Sequence, residues 1–102
     1  MDHAYKRHRN WLAPGIKLSR LPSEYFSEHI YTTFQDDWVA FRSVDQMNFK
    51  RLMWANDFPH SDSTWPHTAK IAHEQTIDLT DEQMYKVLRG NAIKMLGITH
   101  LK

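Results

Sequence analysis

No cysteine occurs among the 102 residues, so neither a disulfide framework nor a thiolate metal site is open to this chain. That fits a reducing compartment, and a cytoplasmic protein is the expectation. Glycine is scarce, at three residues, and none of them builds a glycine-rich phosphate loop or a G-x-S-x-G elbow. The usual nucleotide-binding and serine-hydrolase readings are thereby excluded. Neither HExxH nor His-x-His is present, so no self-contained zinc signature exists. The opening MDHAYKRHRNWLAPG lacks the apolar core of a signal peptide, and no apolar run approaches a membrane span. A soluble protein with no membrane partner is expected.

What the chain does have is aromatic weight: four Trp, four Tyr and five Phe, too many for a disordered segment. Its length allows one domain at most, with a modest core. A net charge of +1 hides an uneven spread. Lys6, Arg7, Arg9, Lys17 and Arg20 face only Asp2 in the first 20 residues, and the remainder is acidic on balance. Such a patch, with Tyr5 and Trp11 beside it, has the composition of a nucleic-acid contact. No recognised binding motif accompanies it, and a solvated helix face is the simpler reading, so no nucleic-acid partner is expected.

Taken in order, residues 2–12 have helical spacing, ended by Pro14-Gly15. Pro22 opens a short helix, PSEYFSEH, with proline in the first turn. Residues 30–34, Ile-Tyr-Thr-Thr-Phe, are β-branched and aromatic throughout and predict a strand. A helix capped by Asp36 or Asp37 and carrying Trp38, Val39, Phe41 and Val44 follows. A turn over Gln46 to Lys50 leads to a second strand at 52–56, and another helix follows Pro66. Thr80 and Gln83 make a capping box, with Leu79 and Met84 as its staple. Gly90-Asn91 predicts an interruption and a restart, and Gly97 a C-terminal cap. Two strands joined by a helix form a parallel unit. Parallel strands are normally buried within larger sheets, so two alone should leave apolar faces uncovered. The chain also opens inside a helix, as a piece of something larger would.

The organising stretch is Arg51 to Pro66, RLMWANDFPHSDSTWP, in which a short apolar run turns abruptly polar. Asp57 follows a buried strand, where parallel α/β folds keep their chemistry. A carboxylate there can ligate a divalent metal or take a proton from metal-bound water. Equally, it can be a turn aspartate accepting backbone hydrogen bonds. His60 can orient a loop or a substrate carboxylate, or be a plain turn histidine. Trp65 can line a pocket mouth or anchor packing. Asp62, His67 and His73 add possible ligands at no standard spacing. Asp36 and Asp37 hold the equivalent position after the first strand, where helix capping accounts for at least one. His3, His8, His29 and His100 read as structural or exposed.

LMWANDFPHSDSTWP resembles the last strand and following loop of the amidohydrolase-related family, in the branch that includes aminocarboxymuconate semialdehyde decarboxylase-like proteins. PSEYFSEHIYTTFQDD is similar to the segment around the penultimate strand, and VLRGNAIKMLGI to the closing helix. The resemblance implies a C-terminal fragment of a (β/α)8 TIM barrel. Residues 1–102 would then be a single partial domain holding the last two β/α units. It further implies a divalent metal, zinc or else manganese, with Asp57 as metal ligand and catalytic residue. His60 becomes a possible catalytic neighbour and Trp65 a substrate-binding residue. The family's His-x-His and later histidine ligands have no counterpart here.

The resulting expectation is part of a hydrolase or non-oxidative decarboxylase acting on a small carboxylated or cyclic substrate, inactive as an isolated chain. The competing expectation is a non-catalytic interaction module derived from the barrel. Under either, exposed strand edges favour self-association or a homo-oligomer.

Overall fold

The computed structural model describes residues 1–8, 11, 17–98 and 100. They fall into two compact units, Met1–Ile30 and Tyr31–Lys102.

The first unit carries α1 (Asp2–His8) and α2 (Pro22–His29). The remainder of the helix expected over 2–12 lies outside the described residues, as do Pro14 and Gly15. Pro22 stands in the first turn of α2, and the Glu24 carboxylate accepts the Leu21 N–H at 2.7 Å. Asp2 accepts both the Ser23 N–H, at 2.7 Å, and the Ser23 hydroxyl, at 2.5 Å. These two bonds, the hydroxyl first, hold the Asp2 carboxyl below the usual carboxylate range.

The second unit is a parallel βαβ arrangement. Strand β1 (Thr32–Phe34) pairs with β2 (Leu52–Trp54) in the register Thr32 to Leu52, Thr33 to Met53 and Phe34 to Trp54. The ladder is shorter than the strands expected at 30–34 and 52–56. Ile30 is spent on closing α2, donating its N–H to Phe26 at 3.0 Å. At the other end, Ala55 donates to Phe34 O at 2.9 Å before the chain turns away. Helix α3 (Trp38–Arg42) joins the strands and is capped by Asp37, whose carboxylate accepts from the Val39 and Ala40 N–H groups at 3.0 Å each. Val44, expected in the same helix, sits instead in a separate 3-10 turn, Val44–Gln46. A second 3-10 turn, Phe49–Arg51, feeds β2.

Beyond β2 come α4 (Thr68–Thr76), α5 (Asp81–Tyr85) and α6 (Asn91–Leu96). The capping box of α5 is present in both directions. Gln83 donates its N–H to Thr80 Oγ1 at 3.2 Å, and Thr80 donates to Gln83 Oε1 at 3.1 Å. Thr80→Ala is therefore expected to cost about 1 kcal/mol, seen as a fall of roughly 4–8 °C in melting temperature. The interruption expected at Gly90-Asn91 takes the form of a π-helical turn, and the second short helix restarts at Asn91. That turn, Lys86–Gly90, carries the backbone from α5 into α6 without leaving right-handed helical angles. A Cβ at Gly90 would meet the Tyr85 ring at 2.7 Å, so the ring would have to shift to admit one. Gly97 does close α6, in the left-handed region at φ 66°.

The core consists of Phe41, Val44, Leu52 and Val87, with Phe34, Phe49, Trp54 and Leu79 packed around it. Leu52 and Met53 are both buried, and successive strand residues face opposite sides. Strand β2 is thus covered on both faces, contrary to the expectation of bare strand faces. Only Thr33, at the centre of β1, is exposed within the ladder. Asn91 is buried too, and its side chain ties the closing helix to the strand. Its Nδ2 donates to Phe49 O at 2.6 Å and to Leu52 O at 2.8 Å.

Candidate functional site

The loop leaving β2 turns at Asn56 and Asp57. Asn56 Oδ1 accepts the Phe58 N–H at 3.2 Å, closing an Asx-turn. The turn role that would have accounted for Asp57 is therefore filled by its neighbour. Among the described residues the Asp57 carboxylate caps no backbone N–H. Its backbone is left-handed, at φ 58°, a region where aspartate is several-fold commoner than most residues. Holding a side-chain-bearing residue there costs about 1–2 kcal/mol.

The Asp57 O atom accepts the His60 N–H at 2.8 Å, which brings the imidazole back over the carboxylate. His60 Nδ1 lies 3.5 Å from Asp57 Oδ2, with about three-fifths of the Asp57 side chain and two-thirds of the His60 side chain exposed. At such exposure the pair adds ~1 kcal/mol at most to stability. The Asp62 N–H also approaches His60 Nδ1, at 3.3 Å. One ring nitrogen cannot serve both neighbours. Unprotonated, Nδ1 accepts from Asp62; protonated, it donates to Asp57.

Further along, Ser63 Oγ donates to Asn56 O at 2.7 Å and accepts the Trp65 N–H at 3.1 Å. Thr64 N–H reaches the same Asn56 carbonyl at 3.2 Å. Trp65 is 62% exposed, and its ring lies 5.5 Å from that of Phe58. Both aromatic residues precede a cis-proline, Pro59 and Pro66. Trp65 forms one wall of a cleft of about 390 Å³, with Asp36, Asp62, Ser63 and His67 also on the lining.

Of the residues singled out by sequence, Asp57 and His60 come together, and Trp65 lies on the cleft. Asp57 and His60 are not on that lining. Asp37 is consumed as a helix cap, whereas Asp36 accepts a hydrogen bond from the Gln75 amide and lines the cleft. Sequence reasoning missed Asn56 and Ser63, although an Asn before a turn is itself an Asx-turn signal. Among the described residues, no three His, Asp or Glu side chains converge to hold a metal ion. Asp57 and His60 are two donors, where a catalytic zinc normally takes three protein ligands and keeps one position open. The residues present do not fit a complete metal site.

No helix among the described residues is long and apolar enough to cross a membrane. No curated protein matches the chain. A family model described as Amidohydrolase matches residues 1–98, and the parallel strand–helix–strand order with flanking helices agrees with a barrel family of that kind. The chain belongs to the amidohydrolase family.

Proposed function

We propose that this chain supplies the last two β/α units of a metal-dependent hydrolase or non-oxidative decarboxylase. Its relatives would be the aminocarboxymuconate semialdehyde decarboxylase-like proteins, its substrate small and carboxylated or cyclic, and its compartment the cytoplasm. The supporting observation is the Asp57 carboxylate. It follows the C-terminal end of a parallel strand, is spared from turn capping by Asn56, and has His60 Nδ1 at 3.5 Å. Active sites of (β/α)8 barrels are built at that end of their strands.

The family is generally metal-dependent. Zinc is the proposed ion, with manganese second, but the donors of this chain do not complete its site. No step is therefore assigned to the metal. What the chain's own groups offer is a proton acceptor: the Asp57 carboxylate takes a proton from water or substrate, with the His60 ring 3.5 Å away to orient it. Trp65 is the proposed apolar wall against a substrate ring. Selectivity in such barrels is set by loops after several strands, and two are present here.

The test is direct. The purified chain is expected to show no turnover on carboxylated cyclic substrates, and to keep no stoichiometric zinc or manganese after dialysis. Turnover at the rate of a full barrel, or one tightly held zinc per chain, would contradict the proposal.

A non-catalytic module that self-associates is the second reading. One observation favours it: among the described residues the parallel sheet has two strands, each with one edge that pairs with no further strand. A stable dimer whose assembly survives Asp57→Ala, with no activity recovered in any barrel context, would select that reading.

A further inference from the structure

We infer that Ser63 is a positioning residue that holds Asp57 in its left-handed conformation and ties that carboxylate to the Trp65 wall. The inference rests on the functional reading of Asp57 given above. A residue's φ and ψ set the angles between its two flanking peptide planes. Around Asp57 both planes are pinned. The following plane is held by Asp57 O, which accepts from His60 N–H at 2.8 Å, and by Phe58 N–H, which donates to Asn56 Oδ1 at 3.2 Å. These contacts are local, within three residues of Asp57.

The preceding plane is held from across the loop. Its carbonyl, Asn56 O, accepts the Ser63 hydroxyl at 2.7 Å and the Thr64 N–H at 3.2 Å. The hydroxyl's orientation is forced. A carbonyl oxygen can only accept, and the Trp65 N–H, 3.1 Å from Ser63 Oγ, can only donate. The Ser63 proton therefore points at Asn56 and its lone pair at Trp65. One side chain thereby sets both the plane that orients Asp57 and the backbone that carries the cleft wall. A left-handed aspartate is a strained state that persists only where its surroundings over-determine it. Ser63 supplies the shorter of the two long-range bonds in that determination, beside the Thr64 N–H.

The experiment uses nuclear magnetic resonance on the full chain, comparing wild type, Ser63→Ala and Ser63→Thr. A left-handed residue places its own amide and α protons close together, giving a strong intraresidue contact. Wild type should show it at Asp57. Ser63→Ala should lose it, with shifted His60 ring signals and a displaced Trp65 amide. Ser63→Thr, which keeps the hydroxyl, should restore all three. The Asn91 side-chain amide and Val87 methyl signals should stay in place in every variant, because Ser63 is not part of the core.

An alanine variant that keeps Asp57 left-handed would overturn the inference. So would one that loses the Asn91 and Val87 signals, since Ser63 would then be holding the fold rather than the carboxylate. Failure of the functional reading appears elsewhere, as a completed barrel indifferent to Asp57→Asn, and leaves these measurements unchanged.

Discussion

Asn91→Leu is expected to lower the melting temperature by roughly 8 °C or more, because it keeps the branching of the side chain but adds bulk and removes the donor. Asn91 is 3% exposed, and its amide is the shared donor for Phe49 O and Leu52 O. Leucine would put a methyl group where the amide nitrogen stands 2.6 and 2.8 Å from the two carbonyl oxygens, so it crowds the site as well as removing that donor. Phe49 O keeps the Leu52 N–H as a donor, so the unsatisfied carbonyl is Leu52 O, at about 1–3 kcal/mol, and forcing the bulkier leucine into the site adds about 1–3 kcal/mol. Small domains have only about 5–15 kcal/mol to lose. The loss should fall on the entry to β2, because one carbonyl belongs to the 3-10 turn before the strand and the other to its first residue. Near-ultraviolet circular dichroism of the tryptophans during heating would follow it. An unchanged melting curve would mean that the amide is not what satisfies the Leu52 carbonyl.

Features governed by neighbouring residues were legible in the sequence. The β-branched run at β1, the apolar run at β2, the aspartate cap of α3, the capping box at Thr80 and the glycine cap at Gly97 all depend on partners a few residues away. So did the place of Asp57, since an apolar strand that turns abruptly polar marks its own end. Asn91 was different. Its carbonyl partners lie 42 and 39 residues earlier, and nothing in the local spacing announces them. Read locally, Gly90-Asn91 marks an interruption and restart of the helix. In the folded chain the glycine lies against the Tyr85 ring, and the asparagine ties the helix to the strand.

The turn after β2 gives the same lesson on a smaller scale. Aspartate and asparagine are both good turn residues, and composition does not say which one the turn will use. The geometry assigns the turn to Asn56 and leaves the Asp57 carboxylate to His60. Trp65 was open between packing anchor and pocket wall. Its exposure and its place on the cleft favour a wall, while the role of that wall in binding remains part of the proposal.

The second large effect concerns catalysis. Asp57→Asn keeps the side chain's size and its tolerance of the left-handed region, and removes the charge and the proton-accepting oxygen. Stability should hardly change, because the exposed pair with His60 contributes ~1 kcal/mol or less. In a barrel completed with the missing β/α units, activity should fall by about 10²–10⁴-fold, the usual contribution of a positioned acid–base group. The contrast between a large kinetic effect and a small thermal one separates a reacting carboxylate from a turn residue. Asn91→Leu should show the opposite contrast, with stability lost first.

One measurement bears most directly on the claim that Asp57 is the reacting group of a barrel that these two units help to build. Joined to the first six β/α units of an amidohydrolase-family barrel of known substrate, the chain should restore turnover. The Asp57→Asn version should bind that substrate with little change in KM and lose kcat by about 10²–10⁴-fold. Equal kcat for the two versions would contradict the account.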